Sequence, residues 1–257
     1  MSNSALVSYT ALSPNHSGKR NHVIDTITIH CMAGNLSVEG CGQLFANRER
    51  QASSNYGIGS DGRIALYVDE ANRSWCSSSS SNDNRAVTIE VANTVAAEPW
   101  PVSEKAYAAL LDLVTDICRR NGIKKLLWKA DKSLIGKVSE QNMTVHRWFA
   151  NKSCPGDWLY QRHGEIAAEV NKRLEKEDFD MDINEARKKL TSCAETGDTP
   201  SEWAREAAEY CKRKGIFNGD GAGNYGWQQP ITREAVAQIV YNALEMAGVL
   251  EAIPDKR

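Results

Sequence analysis

The period of the hydrophobic pattern changes several times along the chain, and each change predicts an element. Residues 22–30, HVIDTITIH, are dense in β-branched side chains and predict a strand inside a sheet. Residues 85–93, RAVTIEVAN, predict another. There Val87, Ile89 and Val91 share one face, so Thr88, Glu90 and Ala92 share the opposite one. A carboxylate on that small, weakly polar face fits the border of a cleft; the plainer alternative is a strand residue facing solvent. Ser37 reads as the N-cap of a helix reaching about residue 50. Asp61-Gly62 reads as a hairpin turn between strands 56–59 and 63–68. Residues 103–121 place Tyr107, Leu110, Leu111, Val114, Ile117 and Cys118 at helical spacing and close on Asn121-Gly122. A further helix is predicted over 157–176.

Other stretches lack a period. Residues 1–20 read as an irregular lead-in, and the polar, Ser-rich run 77–84 as a flexible surface loop. Lys124, Lys125, Lys129, Lys132 and Lys137 form a solvated face or a hold on an acidic polymer. A charged break at 175–178 precedes a short helix at 182–193, a linker at 196–200, and helices 201–214 and 232–247 around a glycine-rich loop. Thr232, after Pro230, is the expected N-cap of the last helix. The order predicts an α/β fold, a mixed central sheet flanked by helices over 1–176, and a small all-α domain over 177–257.

Composition narrows the class. The 257 residues are 41% hydrophobic and 25% charged with a formal net charge of −2, which gives no global field to attract nucleic acid. No apolar run approaches a membrane span, and no basic region followed by an apolar stretch opens the chain. The seven cysteines are scattered without C-x-x-C pairs, poor material for a disulfide framework. Synthesis in a reducing cytoplasm without a signal peptide is the expectation.

Chemistry concentrates in 144–158, TVHRWFANKSCPGDW, where His146, Lys152 and Cys154 fall within nine residues. Zinc takes His nitrogen and Cys sulfur, and a catalytic zinc keeps three protein ligands and an open position. His146 and Cys154 would be two of the three. Alternatively, Cys154 is a small buried hydrophobe, or a nucleophile with His146 as its base. His30 ends a core strand just before a Gly turn, which aims its ring at the sheet's edge as a ligand or a structural residue.

Together, TITIH30, NYGIGSDG62, VTIE90V, VH146RW and NK152SC154PGD resemble, in that order, the zinc-dependent N-acetylmuramoyl-L-alanine amidases of type 2. That fold is shared with peptidoglycan recognition proteins and many phage endolysins, and the resemblance covers roughly residues 5–175. It implies Zn²⁺ held by His30, His146 and Cys154, Lys152 stabilising the oxyanion, and Glu90 as general base. Other members use a Tyr at the place that falls on Ser54, and Tyr56 is expected to pack. Trp75, Asn93 and Trp148 are candidate substrate-binding residues. Two departures stand out: Cys31-Met32 follow His30, and Trp75-Cys76 replaces a frequent Trp-His.

The implied reaction is hydrolysis of the amide between N-acetylmuramic acid and L-alanine in bacterial peptidoglycan, by a phage or prophage endolysin of a Gram-positive host acting on the wall after release. A non-catalytic peptidoglycan-binding protein is the rival. The C-terminal segment is similar to one S-layer homology repeat, which implies cell-wall polysaccharide as a further partner. A lone repeat would leave apolar faces open and favour a homo-oligomer. The bland alternative is a helical spacer without a ligand.

Overall fold

A computed structural model describes residues 2–192, 199–227, 231 and 233–249, with the backbone only for 176–192. The chain divides into two units, Met1–Glu177 and Asp178–Arg257. In the first, β1 (Tyr9–Thr10), β2 (His16–Lys19) and β3 (Thr26–Cys31) lead to α1 (Val38–Ala46). The hairpin β4 (Tyr56–Ile58) and β5 (Ile64–Leu66) follows, then β6 (Asn72–Ser74), α2 (Ser80–Arg85) and β7 (Ala86–Val91). Helix α3 (Glu104–Arg120), β8 (Met143–Thr144) and the beginning of α4 (Asp157–Ser192), which extends past Glu177, complete the series.

The main sheet has the order β1-β5-β4-β7-β3-β8, with β4 and β5 antiparallel and every other pair parallel. This is the mixed sheet that the pattern predicts. One face carries Ile27, Ile29, Val87, Ile89, Val91 and Met143, buried with Leu110, Val114 and Ile117 of α3 and Leu159, Ile166 and Val170 of α4 in one continuous core. A buried branched side chain of this kind contributes about 1.5–3 kcal/mol relative to exposure. The other face is polar and hydrogen-bonded. Thr28 and Thr144 meet at 2.7 Å across β3 and β8, and the Asn82 amide serves both. On β7, Thr88 is held by Ser74 and Asn55. Charge-free polar pairs satisfy a face that apolar packing leaves open.

Three expectations change. The lead-in is not irregular throughout: Ser8 and Ala11 donate to Ile64 and Leu66, which makes β1 a parallel edge strand, and β2 pairs with β6. Two to four residues are too few to show a period, so the partner strand creates these elements. The Ser-rich run is not a loose loop. Ser79 caps α2, Asn82 and Asp83 are buried, and the Asp83 carboxylate accepts the amides of Cys76 and Ser77 while Arg20 binds the Asp83 carbonyl. Hydrogen bonds, not apolar burial, hold it. Finally, α4 runs unbroken through the expected charged break at 175–178 to Ser192. Mixed Glu and Lys are good helix formers, so charge alone does not stop a helix.

The second unit holds a 3-10 turn, Glu202–Ala204, then α5 (Arg205–Lys214) and α6 (Arg233–Met246). Gly215, at φ 71°, turns its amide back to Cys211 and Lys212 and ends α5. The Asp220 carboxylate accepts the amides of Ala222 and Asn224 and fixes the loop between the helices. The expected cap Thr232, Pro230, Cys193 and linker residues 196–198 lie outside the described residues. Among the described residues, no helix is long and apolar enough to cross a membrane.

Candidate active site and metal centre

Strands β3, β7 and β8 are parallel neighbours, so their C-terminal ends open at one edge of the sheet, where ligands collect in α/β folds. His30 lies one residue before the end of β3, in register with Glu90 of β7. His146 starts the 3-10 turn two residues beyond β8. Side chains more than a hundred residues apart therefore arrive together through strand order alone.

The loop after β8 delivers Cys154. Arg147 ties it at three points: its amide donates to the Cys154 carbonyl, and its guanidinium reaches Asp157 and the Ser153 carbonyl. Gly156, at φ 80°, packs where an added Cβ would lie 2.6 Å from the Trp100 Cβ, so a larger residue would push this loop away.

The donor atoms of His30, His146 and Cys154 lie within 4.8 Å of one another. Cys154 Sγ is 3.3 Å from His30 Nδ1. Bond lengths of about 2.3 Å for Zn–S and 2.0–2.1 Å for Zn–N at a tetrahedral angle separate such a pair by about 3.5 Å. The rings of His30 and His146 are 5.1 Å apart and tilted 60°. His146 Nε2 sits 3.0 Å from Ser78 Oγ, which leaves Nδ1 for a metal, the usual division of labour in a metal-binding imidazole. One thiol and two imidazoles of this geometry fit zinc.

Burial holds the His30 ring well below the ordinary His range, and His146 and His163 push it the same way. His146 is lowered too, by burial and then by Lys152. Neutral imidazoles are the form that binds metal. Burial raises the Cys154 thiol well above its usual value, as does its contact with Cys31. That is the opposite of an activated nucleophile, whose thiol is lowered by its surroundings.

Glu90, Lys152, His146, Trp75, Cys76, Ser78, Arg50 and Arg73 line one cleft of about 500 Å³. Glu90 is pushed well above the usual carboxylate range, first by burial and then by Cys31. Lys152 is exposed at the rim. Trp75 lies along the cleft with its indole N–H on Ser17.

Two of the expected substrate contacts are placed elsewhere. Asn93 is 0% exposed and gives its amide to the Trp100 carbonyl, so it braces a loop. Trp148 is buried and stacks face to face on Trp128 at 5.1 Å. Both follow a strand or a ligand in sequence, but their side chains turn inward. Ser54 is buried and donates to the Tyr56 carbonyl, while Tyr56 packs with its hydroxyl on Glu70. Sequence reasoning missed Ser78, hidden in the Ser-rich run; its φ of 64°, a strained value for a non-glycine residue, belongs to the folded backbone and has no local sequence signal.

Residues 196–237 match the S-layer homology domain. Among solved structures, the chain is similar to PlyL at 15% identity, covering 63% of this chain and 95% of that one with a TM-score of 0.46. It is similar to a selenomethionine derivative of AmpD at 17% identity, covering 64% and 96% with a TM-score of 0.47. The endolysin N-acetylmuramoyl-L-alanine amidase LysCS from Clostridium intestinale is 16% identical, covering 64% and 97% with a TM-score of 0.43. No curated protein matches. Residues 20–157, more than half of the chain and the span that carries His30, Glu90, His146 and Cys154, match the family described as N-acetylmuramoyl-L-alanine amidase. The chain belongs to the N-acetylmuramoyl-L-alanine amidase family.

Proposed function

We propose that the chain is a zinc-dependent hydrolase that cleaves the amide between N-acetylmuramic acid and L-alanine in peptidoglycan. The observation that carries this reading is the convergence of His30, His146 and Cys154 within 4.8 Å, beside Glu90 and Lys152 at one cleft. Bound there, zinc would polarise the scissile carbonyl and lower the pKa of its water toward about 7. Glu90 takes the proton of the attacking water and returns it to the leaving amine as the C–N bond breaks. Its enclosure favours holding that proton between the two transfers. The Lys152 ammonium faces the charge that grows on the carbonyl oxygen. Trp75 offers an aromatic face along the cleft for the glycan or the peptide stem.

The C-terminal unit is read as a wall-polysaccharide module. Tyr225 stacks on Trp227 and Phe217 tilts against it, beside Asp220, Asn224 and Asn242 around a hollow of about 670 Å³, a mixture of aromatic faces and amides that suits sugars. Its exposed apolar residues support self-association. An amidase joined to a wall-directed module supports an endolysin, and lysis of Gram-positive cells by added protein tests that role.

Digestion of purified peptidoglycan tests the reaction. New L-alanine amino termini, lost on adding a chelator and restored by zinc, are the expected result. New reducing sugar ends would replace the amidase reading with a glycosidase.

A further inference from the structure

Beside the triad described above lies a second one. His30, Cys76 and Glu90 also bring their donor atoms within 4.8 Å of one another. They come from three elements: the end of β3, the residue pair after β6, and β7 directly across from His30. Their bonding is incomplete. His30 Nε2 and Glu90 Oε2 are buried polar atoms without a hydrogen-bond partner. Cys76 Sγ approaches Glu90 Oε1 at only 3.9 Å. Buried donors and acceptors are nearly always satisfied, so two such atoms in adjacent side chains call for an occupant.

We propose that this triad is a second cation position, using His30 Nε2, Cys76 Sγ and a Glu90 oxygen, for a thiophilic divalent ion. The proposal rests on the zinc reading of the first triad, since His30 serves both through its two nitrogens. Nitrogen, sulfur and oxygen donors together select zinc or cadmium over magnesium or calcium. The nearby Asp83 carboxylate is not a donor, because the amides of Cys76 and Ser77 already occupy it. Filling both positions releases the protons of Cys154, Cys76 and the His30 ring, and that of Glu90 where it is protonated. Four anionic donors then balance two divalent ions, and the cluster is neutral. An ion here ties up the Glu90 carboxylate, so the second position is inhibitory: excess metal withdraws the general base.

Cadmium titration of the chelator-stripped full chain, followed by thiolate-to-cadmium absorption, counts the positions, and elemental analysis counts zinc retained after gel filtration. The wild type should take up two equivalents, and Cys76→Ser and Glu90→Gln one each. Cys31→Ser, which alters a neighbouring thiol outside the triad, should still take up two. Zinc beyond the first equivalent should lower wild-type turnover at least tenfold and leave Cys76→Ser unaffected. Saturation of the wild type at one equivalent, or two equivalents in Cys76→Ser, or loss of the second in Cys31→Ser, would overturn the proposal and leave the first site standing. No retained metal at all would remove both.

Discussion

The two units of this chain treat their apolar residues in opposite ways. In Met1–Glu177, strands and helices enclose a continuous core in which Ile27, Ile89, Leu110, Leu113 and Ile117 lose essentially all contact with solvent. In the second unit, Ala208 is the buried apolar residue among those described, while Trp203 stays 90% exposed, Val240 51% and Tyr241 49%. A unit of that size has too little interior to cover them. The first unit brings His30, His146 and Cys154 together on packed supports. The second presents surface, which suits holding something larger than itself.

The sharpest break of this contrast is removal of a first-unit ligand. His146→Ala should eliminate the first zinc equivalent and hydrolysis while the polysaccharide affinity of the second unit persists; loss of hydrolysis and wall affinity together, by turnover and wall sedimentation, would mean the units are not independent. Glu90→Gln should lower kcat by about 10²–10⁴, the usual worth of a general base, with the first zinc equivalent retained. Unchanged turnover would move the base elsewhere. Lys152→Ala should cost about 10²–10³ in kcat, as loss of an oxyanion donor does. Leu113→Ala, in the core, should destabilise by about 2–5 kcal/mol in a thermal melt. The smallest effect belongs to Val240→Ser on α6, expected within about 0.5 kcal/mol in the same melt. That change should instead weaken self-association in light scattering, and a monomeric wild type would refute the open-face reading.

Much of the first unit could be read from local pattern. The strand around Glu90, the Ser37 cap, the helix over 103–121 and the Asp61-Gly62 turn all depend on neighbours in sequence, and the structure has each in place. What local pattern misjudged was polar burial and short pairing. Asn82 and Asp83 look like loop residues until Arg20, Thr28 and Thr144 surround them. Tyr9 becomes a strand residue only because Ala65 stands beside it. Asn93 and Trp148 carried the right residue types for a groove, and only packing shows that they face inward.

Sequence by itself determined the strand and helix periods, the ligand-type residues and the reaction class that their motifs resemble, because each is written in residue identity and spacing. Tertiary structure alone decided that three parallel strand ends bring His30, Glu90 and His146 to one edge, that Ser78 orients His146, and that Cys76 joins a second triad. Those facts depend on distances between segments far apart in the chain, and no local preference encodes such a distance.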